Sequence, residues 1–400
     1  MIPGSAVYHV VEAMVPLYTA AVLGYASVRW LKAFSDEQCA GINHFVALYA
    51  VPVLIFHMVS TNDPYHMNER LIAADTLQKA VMLLALTAWA FWAHFRRGRG
   101  GGKPAASSPL KWVVTNFSVA SLPNTIIMGV PLLDGMYGAV SGGLMKQIVV
   151  MQFCVWYNVV IFLYEFMAAR VDAASPKIRP VLPAAEAQAD NRDQQAVVVN
   201  IEITEVAAAA PAVDEEDSAA EEEAAAAVEA AVAAADVPSM SHVAWKAVKK
   251  LLLIPNTYAS FLGLIWSLMA YKIGFSMPKI VDGSLSIIHS TAVGLSMFSS
   301  GTFIARQSRF VPCGYTIATL SMLLKFLVGP VIMLLASLAL GMHGQLLHIA
   351  VVQAALPLAV TSFVYAEEYK VHADIMSTGV ILGIFISLPV TIVYYILLGL

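Results

Sequence analysis

Ten apolar runs of about twenty residues restrict this 400-residue chain to a membrane fold. An α-helix of that length crosses a hydrocarbon core about 30 Å thick, and its backbone satisfies its own hydrogen bonds there. Because 59% of the residues are hydrophobic and only 12% are charged, the sequence predicts an all-α polytopic membrane protein. The predicted spans are residues 6–28, 41–60, 71–94, 112–137, 144–168, 249–270, 280–304, 312–340, 345–366 and 373–398.

An acidic, alanine-rich stretch over residues 171–243 separates five predicted spans from the other five. It contains 15 acidic and 3 basic residues, and a stretch of this composition cannot bury a core. We expect a disordered linker between a first domain, 1–170, and a second domain, 244–400. Because five is an odd number, the second half enters the membrane from the opposite side. That arrangement is typical of two five-helix inverted repeats.

The positions of lysine and arginine predict the orientation of the chain. These residues concentrate on the cytosolic side of membrane proteins. If the N-terminus lies outside the cytosol, 17 of the 23 lysines and arginines face the cytosol and three face the other side. The sequence therefore predicts a cytosolic linker, with both termini in a lumen or outside the cell.

The fourth and ninth predicted spans each contain an interior proline. SLPNT at 121–125 and ALPLA at 355–359 place Pro123 and Pro357 at corresponding positions of the two halves. Proline removes a backbone donor, and lipid tolerates such a break only beside protein or an aqueous cavity. If the helices restart at the two prolines, their positive ends favour an anion near the midplane, to which Asn124 adds an amide donor. The alternative is an ordinary proline kink in each span.

Several other polar side chains fall within or beside predicted spans. Asp75 and Lys79 lie four residues apart and can pair on one helix face, either as a structural ion pair or as a switch beside the cavity. Gln152 and Tyr157 are either interhelical hydrogen-bonding groups or part of a site. Asn256 follows a proline at the beginning of the sixth span, which is typical of a helix start.

The sequence has no motif for catalysis. It lacks metalloprotease, nucleophile-elbow and nucleotide-binding motifs. Its three cysteines, Cys39, Cys154 and Cys313, lie on separate segments without metal-ligand spacing. We therefore expect no enzymatic activity, no cofactor, no bound metal and no nucleic-acid partner.

Seven strings in the two membrane halves resemble one known family. They are GINHFVALYAVPVLIFHMVSTNDPY, RLIAADTLQK, SLPNTIIMGVPLL, QIVVMQFCVWY, PNTYASFLGLIWSL, VQAALP and LPVTIVYYILLGL. Together they resemble the PIN-FORMED auxin efflux carriers of plants. The resemblance implies a facilitative, elevator-type carrier of the auxin anion indole-3-acetate, driven by the substrate gradient and the membrane potential. It also implies ten spans in two inverted repeats, broken crossover helices four and nine, and a homodimer in the lipid membrane.

The same resemblance implies roles for individual residues. Pro123 and Pro357 would be the crossover prolines, and Asn124 would be the main ligand of the substrate carboxylate. The rest of the substrate-binding pocket would be lined by Val51, Ile55, Ile127, Tyr157, Asn256 and Val360. A neighbouring support site would consist of Asp75, Lys79 and Gln152.

The chain departs from the family pattern around this pocket. Ile55 stands where the family usually has serine, which removes a polar contact to the ligand. Leu358, Ala359 and Ser362 replace the residues that usually follow Pro357, namely glutamine or proline, then glycine, and later a second proline. These departures predict an altered affinity or ligand preference.

The linker bears on the cellular location. It spans about 73 residues, far fewer than in family members of the plasma membrane. Members with short linkers resemble intracellular carriers, so we expect the endoplasmic reticulum membrane rather than the plasma membrane. Auxin would then move from the cytosol into the lumen of the endoplasmic reticulum, or out of the cell from the plasma membrane.

Two alternatives remain open from the sequence. One is a proton- or sodium-coupled organic-anion transporter of the same fold, with Asp75 as the ion or proton site. The other is a transport-dead membrane receptor that binds auxin, which the altered ninth span suggests.

Overall fold

The computed structural model describes residues 4–99, 108–174 and 240–399, which we divide into thirteen helices. They are α1 (Gly4–Arg29), α2 (Asp36–Ser60), α3 (Glu69–Arg99), α4 (Pro109–Ser121), α5 (Thr125–Tyr137), α6 (Ala139–Met151, Gln152–Trp156 and Tyr157–Ala174 in continuous succession), α7 (Met240–Leu251), α8 (Pro255–Ile273), α9 (Lys279–Arg306), α10 (Tyr315–Ala339), α11 (Gln345–Ala354), α12 (Val360–Glu368) and α13 (Ala373–Gly399). The predicted linker lies almost entirely outside the described residues. Met1–Ala169 and Val243–Leu400 form one compact unit.

Seven of the described helices are long and apolar enough to cross a membrane. Helices α7 and α8 are bent by 74° and add an eighth span if the pair is counted as one. These helices confirm the prediction of an all-α polytopic membrane protein. The predicted fourth and ninth spans correspond to two pairs of shorter helices, α4 with α5 and α11 with α12. The ten-span inverted repeat stays a prediction.

Four of the described helices contain a wide, π-helical turn, at Val46–Ala50, Thr125–Gly129, Gln152–Trp156 and Leu324–Val328. Three of these turns are followed two residues later by a proline: Pro52, Pro131 and Pro330. Proline has no N–H and its ring clashes with the carbonyl four residues earlier, so a widened turn accommodates it. In α10 the Phe326 carbonyl, which lies four residues before Pro330, accepts a hydrogen bond from the Tyr394 hydroxyl at 2.7 Å.

Two large buried apolar clusters surround α5. One joins α2, α4 and α6 through side chains such as Leu54, Phe117 and Trp156. The other joins α1, α5, α11 and α13. Ile127 and Val130 of α5 pack against both clusters. The first turn of α5 therefore lies between the two parts of the core.

Helices α1 and α9 come from different halves of the chain and approach each other closely. A methyl group added at Gly24 would lie 2.1 Å from the Phe298 carbonyl oxygen. One added at Gly301 would lie 1.9 Å from the Ala21 carbonyl oxygen. Glycine at these positions lets the two backbones pack against each other, as small residues do in membrane helix pairs.

We expect Gly301→Ala to lower the free energy of unfolding by about 1–3 kcal/mol, because the new methyl group forces the two helices apart. The measurement is the thermal unfolding midpoint of the purified protein in detergent. Gly294→Ala is the matched control, since it lies on the same helix and nothing lies within 4 Å of the added methyl group. Equal midpoints for the two variants would contradict the close packing of α1 and α9.

Candidate functional site

The two interrupted spans meet at their interruptions, over residues 122–124 and 355–359, which we call the crossing. The Asn124 N–H donates to the Pro357 carbonyl at 2.8 Å, and the Ala359 N–H donates to the Leu122 carbonyl at 3.3 Å. Pro123 and Leu358 form an antiparallel bridge. Each break therefore satisfies backbone groups of the other, as a break at membrane depth requires.

The expected restart points of the helices are wrong by two or three residues. Helix α5 begins at Thr125 and α12 begins at Val360, rather than at Pro123 and Pro357. Both prolines lie in the extended crossing. The N–H groups that bond across it belong to Asn124 and Ala359, so the missing proline N–H leaves no hydrogen bond unmade. The first turns of α5 and α12 consequently begin just beyond the crossing. Their unsatisfied N–H groups carry the partial positive charge of a helix end.

Asn124 is the N-cap residue of α5, but its side chain makes no capping hydrogen bond. Only 6% of the residue is exposed, and it lines a cavity beside the interruptions, which we call the crossing cavity. Its backbone, by contrast, is fixed by the bond to Pro357, and its carbonyl accepts from Met128 and Gly129. Asn124 thus has a backbone fixed by hydrogen bonds and a side-chain amide that is not used in capping, at the wall of the cavity.

Gln152 fixes the geometry of the crossing from α6. Its side-chain N–H donates to the Pro123 carbonyl at 2.7 Å, and its side-chain oxygen accepts from the Thr125 hydroxyl at 2.6 Å. The residue is buried in the π-helical turn of α6 and also lines the cavity. Gln152 therefore bridges the extended segment and the first residue of α5.

Asp75 and Lys79 form an ion pair on α3, and both side chains are fully buried. The Gln353 amide donates to the Asp75 carboxylate at 3.4 Å. Gln353 lies four residues before Pro357, so the ion pair contacts the helix that leads into the crossing. Gln152, by contrast, hydrogen-bonds to the crossing itself. The three residues of the expected support site therefore contact different segments: Asp75 and Lys79 lie beside Gln353 of α11, and Gln152 lies beside Pro123.

The crossing cavity has a volume of about 450 Å³, within the usual range for a small-molecule site. Eight of the predicted site residues line it: Val51, Pro123, Asn124, Ile127, Gln152, Tyr157, Asn256 and Val360. Four are not among its lining residues. Pro357 lies in the crossing, Asp75 and Lys79 form the buried ion pair, and Ile55 is fully buried in an apolar cluster.

The departures from the family pattern touch the cavity at one position. Ala359 lines it, whereas Leu358 and Ser362 are buried and are not among the lining residues. Ile55 lies apart from the cavity as well. Of the four replaced residues, Ala359 is thus the one at the cavity wall, and the altered affinity or ligand preference stays a prediction.

Sequence reasoning missed two polar groups of the cavity wall. Asn43 and Ser299 hydrogen-bond to each other between α2 and α9, and both line the cavity. At another part of the wall, the Glu165 carboxylate accepts from Tyr369 and pairs with Lys250 at 3.0 Å. Glu165 carried a signal in the sequence, because an acidic residue inside a predicted span is costly and commonly functional.

Tyr369 lies just beyond the last residue of α12. Burial raises the pKa of its phenol, and the neighbouring Glu165 carboxylate raises it further. The hydroxyl therefore remains protonated and acts as a hydrogen-bond donor at neutral pH.

A polytopic α-helical chain in which two interrupted helices meet beside a cavity has the architecture of a membrane transport protein. The profile of a family described as membrane transport protein matches residues 9–395. The chain belongs to this family, and within it to the PIN-FORMED auxin efflux carriers, which confirms the resemblance seen in the sequence. The family consists of transporters rather than enzymes, and the length of 400 residues fits its short-linker type.

Three curated relatives illustrate the similarity. "Probable auxin efflux carrier component 9" of Oryza sativa subsp. japonica is 72% identical over the full length of both chains. "Auxin efflux carrier component 8" of Arabidopsis thaliana is 39% identical over 98% of each chain. "Probable auxin efflux carrier component 5a" of Oryza sativa subsp. japonica is 38% identical over 100% of this chain and 99% of the relative.

Proposed function

We propose that the protein is a facilitative carrier that moves the indole-3-acetate anion from the cytosol into the lumen of the endoplasmic reticulum. The observation that carries this proposal is the crossing, where two helix beginnings and Asn124 adjoin one cavity. Curated relatives that match over their full length are named auxin efflux carriers. The substrate class follows from these relatives, and the anion site follows from the crossing.

The carboxylate of the anion would lie at the Asn124 amide and the first turns of α5 and α12. Helix beginnings bind anions through free N–H groups and their partial positive charge. The indole ring would pack against the apolar wall that includes Val51, Ile127 and Val360. One polar end and one apolar wall match a molecule with one carboxylate and one aromatic ring.

The membrane potential supplies a driving force for such an anion. A potential of 100 mV is worth about 2.3 kcal/mol for each elementary charge, and a cytosol-negative potential moves an anion out of the cytosol. The Asp75 carboxylate is neutralised by Lys79, so it needs no bound sodium ion or proton for charge balance. This pairing favours a uniporter over the ion-coupled alternative.

The proposal includes an architecture and a mechanism. Ten spans would form two five-helix inverted repeats, and the part of the protein that carries the crossing would move as an elevator against the rest. The protein would act as a homodimer in the endoplasmic reticulum membrane, with a cytosolic linker and lumenal termini. The antiparallel pairing of the two breaks supports the inverted repeat, and the short chain supports the intracellular location.

We expect uptake of labelled indole-3-acetate into proteoliposomes to follow an imposed membrane potential and to be indifferent to imposed pH and sodium gradients. Vesicles without protein supply the background. Strict dependence on either gradient would defeat the uniporter. Binding of labelled indole-3-acetate without uptake or counterflow would instead favour the receptor.

A further inference from the structure

Three side chains from separate parts of the fold meet at one part of the cavity wall. Glu165 lies on α6, Lys250 lies near the end of α7, and Tyr369 follows α12. The Lys250 ammonium lies 3.0 Å from the Glu165 carboxylate, which also accepts from the Tyr369 hydroxyl. All three residues line the same cavity as Asn124. We call this group the carboxylate cluster.

The two charges of the carboxylate cluster differ in their exposure. The Glu165 side chain is 5% exposed, whereas the Lys250 side chain is 57% exposed. The Lys250 ammonium also lies 5.4 Å from the centre of the Tyr369 ring. An exposed ammonium has free donors, because it carries three and the ion pair uses only part of them. Lys250 therefore remains available to a second carboxylate while Glu165 and Tyr369 hold it in place.

The position of the carboxylate cluster fits the path of a small organic anion. Glu165 alone would repel an anion from the cavity, and the Lys250 ammonium offsets that repulsion. Lys250 follows the predicted cytosolic linker closely in sequence, so this part of the wall belongs to the side from which the substrate is expected to come. Asn124 is the predicted carboxylate ligand elsewhere on the wall of the same cavity.

We infer that Lys250 is a docking site at which the carboxylate of the incoming anion binds before it reaches Asn124. This inference rests on the proposed function, and it adds a second carboxylate subsite to the cavity. Glu165 and Tyr369 position the ammonium and do not contact the substrate carboxylate. The substrate class is a small aromatic carboxylate, of which indole-3-acetate is the probe.

The experiment measures initial rates of labelled indole-3-acetate uptake into proteoliposomes over a range of concentrations. Lys250→Gln raises the KM about tenfold, as expected for the loss of one hydrogen bond between charged groups, while the maximal rate stays within about twofold. Lys250→Arg keeps a KM close to that of the wild type because it keeps the charge. Lys249→Gln is the matched control, since Lys249 is an exposed neighbour on α7 that packs over Trp245 and is not among the lining residues of the cavity.

Lys250→Gln leaves the buried Glu165 carboxylate without its ion-pair partner, which can prevent folding. The double variant Glu165→Gln/Lys250→Gln removes both charges and avoids that cost. Docking at Lys250 predicts that the double variant keeps the raised KM, whereas Glu165→Gln alone lowers the KM. A double variant with the KM of the wild type would overturn the inference, because the lysine would then serve only to neutralise Glu165.

The outcomes separate this inference from the proposed function. Wild-type protein that moves no indole-3-acetate would overturn both. Wild-type transport with the same KM in the wild type, Lys250→Gln and the double variant would overturn the docking site alone. A KM raised equally by Lys249→Gln and Lys250→Gln would also overturn the docking site, because the effect would then come from the total positive charge of α7 and not from Lys250.

Discussion

Asn124→Ala is expected to reduce the initial rate of indole-3-acetate transport about 10- to 100-fold while leaving the fold intact. The loss corresponds to one hydrogen bond to a charged group, which contributes about 1.5–3 kcal/mol. The fold should survive because the side chain makes no capping hydrogen bond. The backbone bonds of Asn124 to Pro357, Met128 and Gly129 remain available to alanine. The measurements are uptake into proteoliposomes and the thermal unfolding midpoint in detergent.

Asn62→Ala is the matched control for this prediction. Asn62 is 7% exposed and Asn124 is 6% exposed, but Asn62 is not among the lining residues of the cavity. The two variants therefore remove the same amide from equally buried positions. If Asn124→Ala and Asn62→Ala transport indole-3-acetate at the same rate, Asn124 is not the carboxylate ligand.

Asp75→Asn is expected to lower the free energy of unfolding by about 3–5 kcal/mol, because it leaves the fully buried Lys79 ammonium without its carboxylate. The Gln353 amide loses its charged acceptor at the same time. The helix that leads into the crossing is thereby weakened, so transport should fall together with stability. The thermal unfolding midpoint in detergent and the uptake rate measure the two effects.

The double variant Asp75→Asn/Lys79→Met separates charge from packing. It removes both charges and keeps side chains of similar length, and replacing a buried ion pair in this way is often neutral or stabilising. We expect the unfolding midpoint to return close to that of the wild type. An Asp75→Asn protein as stable as the wild type would show that the ion pair does not stabilise the fold.

The interruptions of the fourth and ninth spans could be predicted from the sequence because proline cannot continue a helix in lipid without compensation. The segment that hydrogen-bonds to each interruption could not be predicted from the sequence. Pro123 and Leu358 are more than 200 residues apart in sequence, and only the folded chain brings them together. The helices begin two or three residues later than expected for the same reason, because the N–H groups of Asn124 and Ala359 bond across the crossing instead of beginning a helix.

Buried polar partners were predicted where the helical repeat fixes them. Asp75 and Lys79 lie four residues apart on one helix, so their pairing followed from spacing alone. Gln152 contacts Pro123 and Thr125 on another helix, and no spacing rule identifies such a partner. Lys325 lies inside a predicted span, and the structure buries it to 1% exposure within a π-helical turn.

Some residues of the cavity wall belong to a recognisable sequence motif, and others do not. Asn124 follows a proline inside an apolar run, which is unusual enough to attract attention. Glu165, Lys250 and Tyr369 come from three helical regions, and of the three Glu165 alone stands out in the sequence, as an acidic residue inside a predicted span. Their meeting depends on how α6, α7 and α12 pack.

The most direct test of the proposed anion site is a cryo-electron microscopy map of the full chain in lipid with saturating indole-3-acetate. We expect ligand density in the crossing cavity, with the carboxylate about 3 Å from the Asn124 amide nitrogen and the ring against Ile127 and Val360. Ligand density at another place, with the crossing unoccupied, would contradict this proposal.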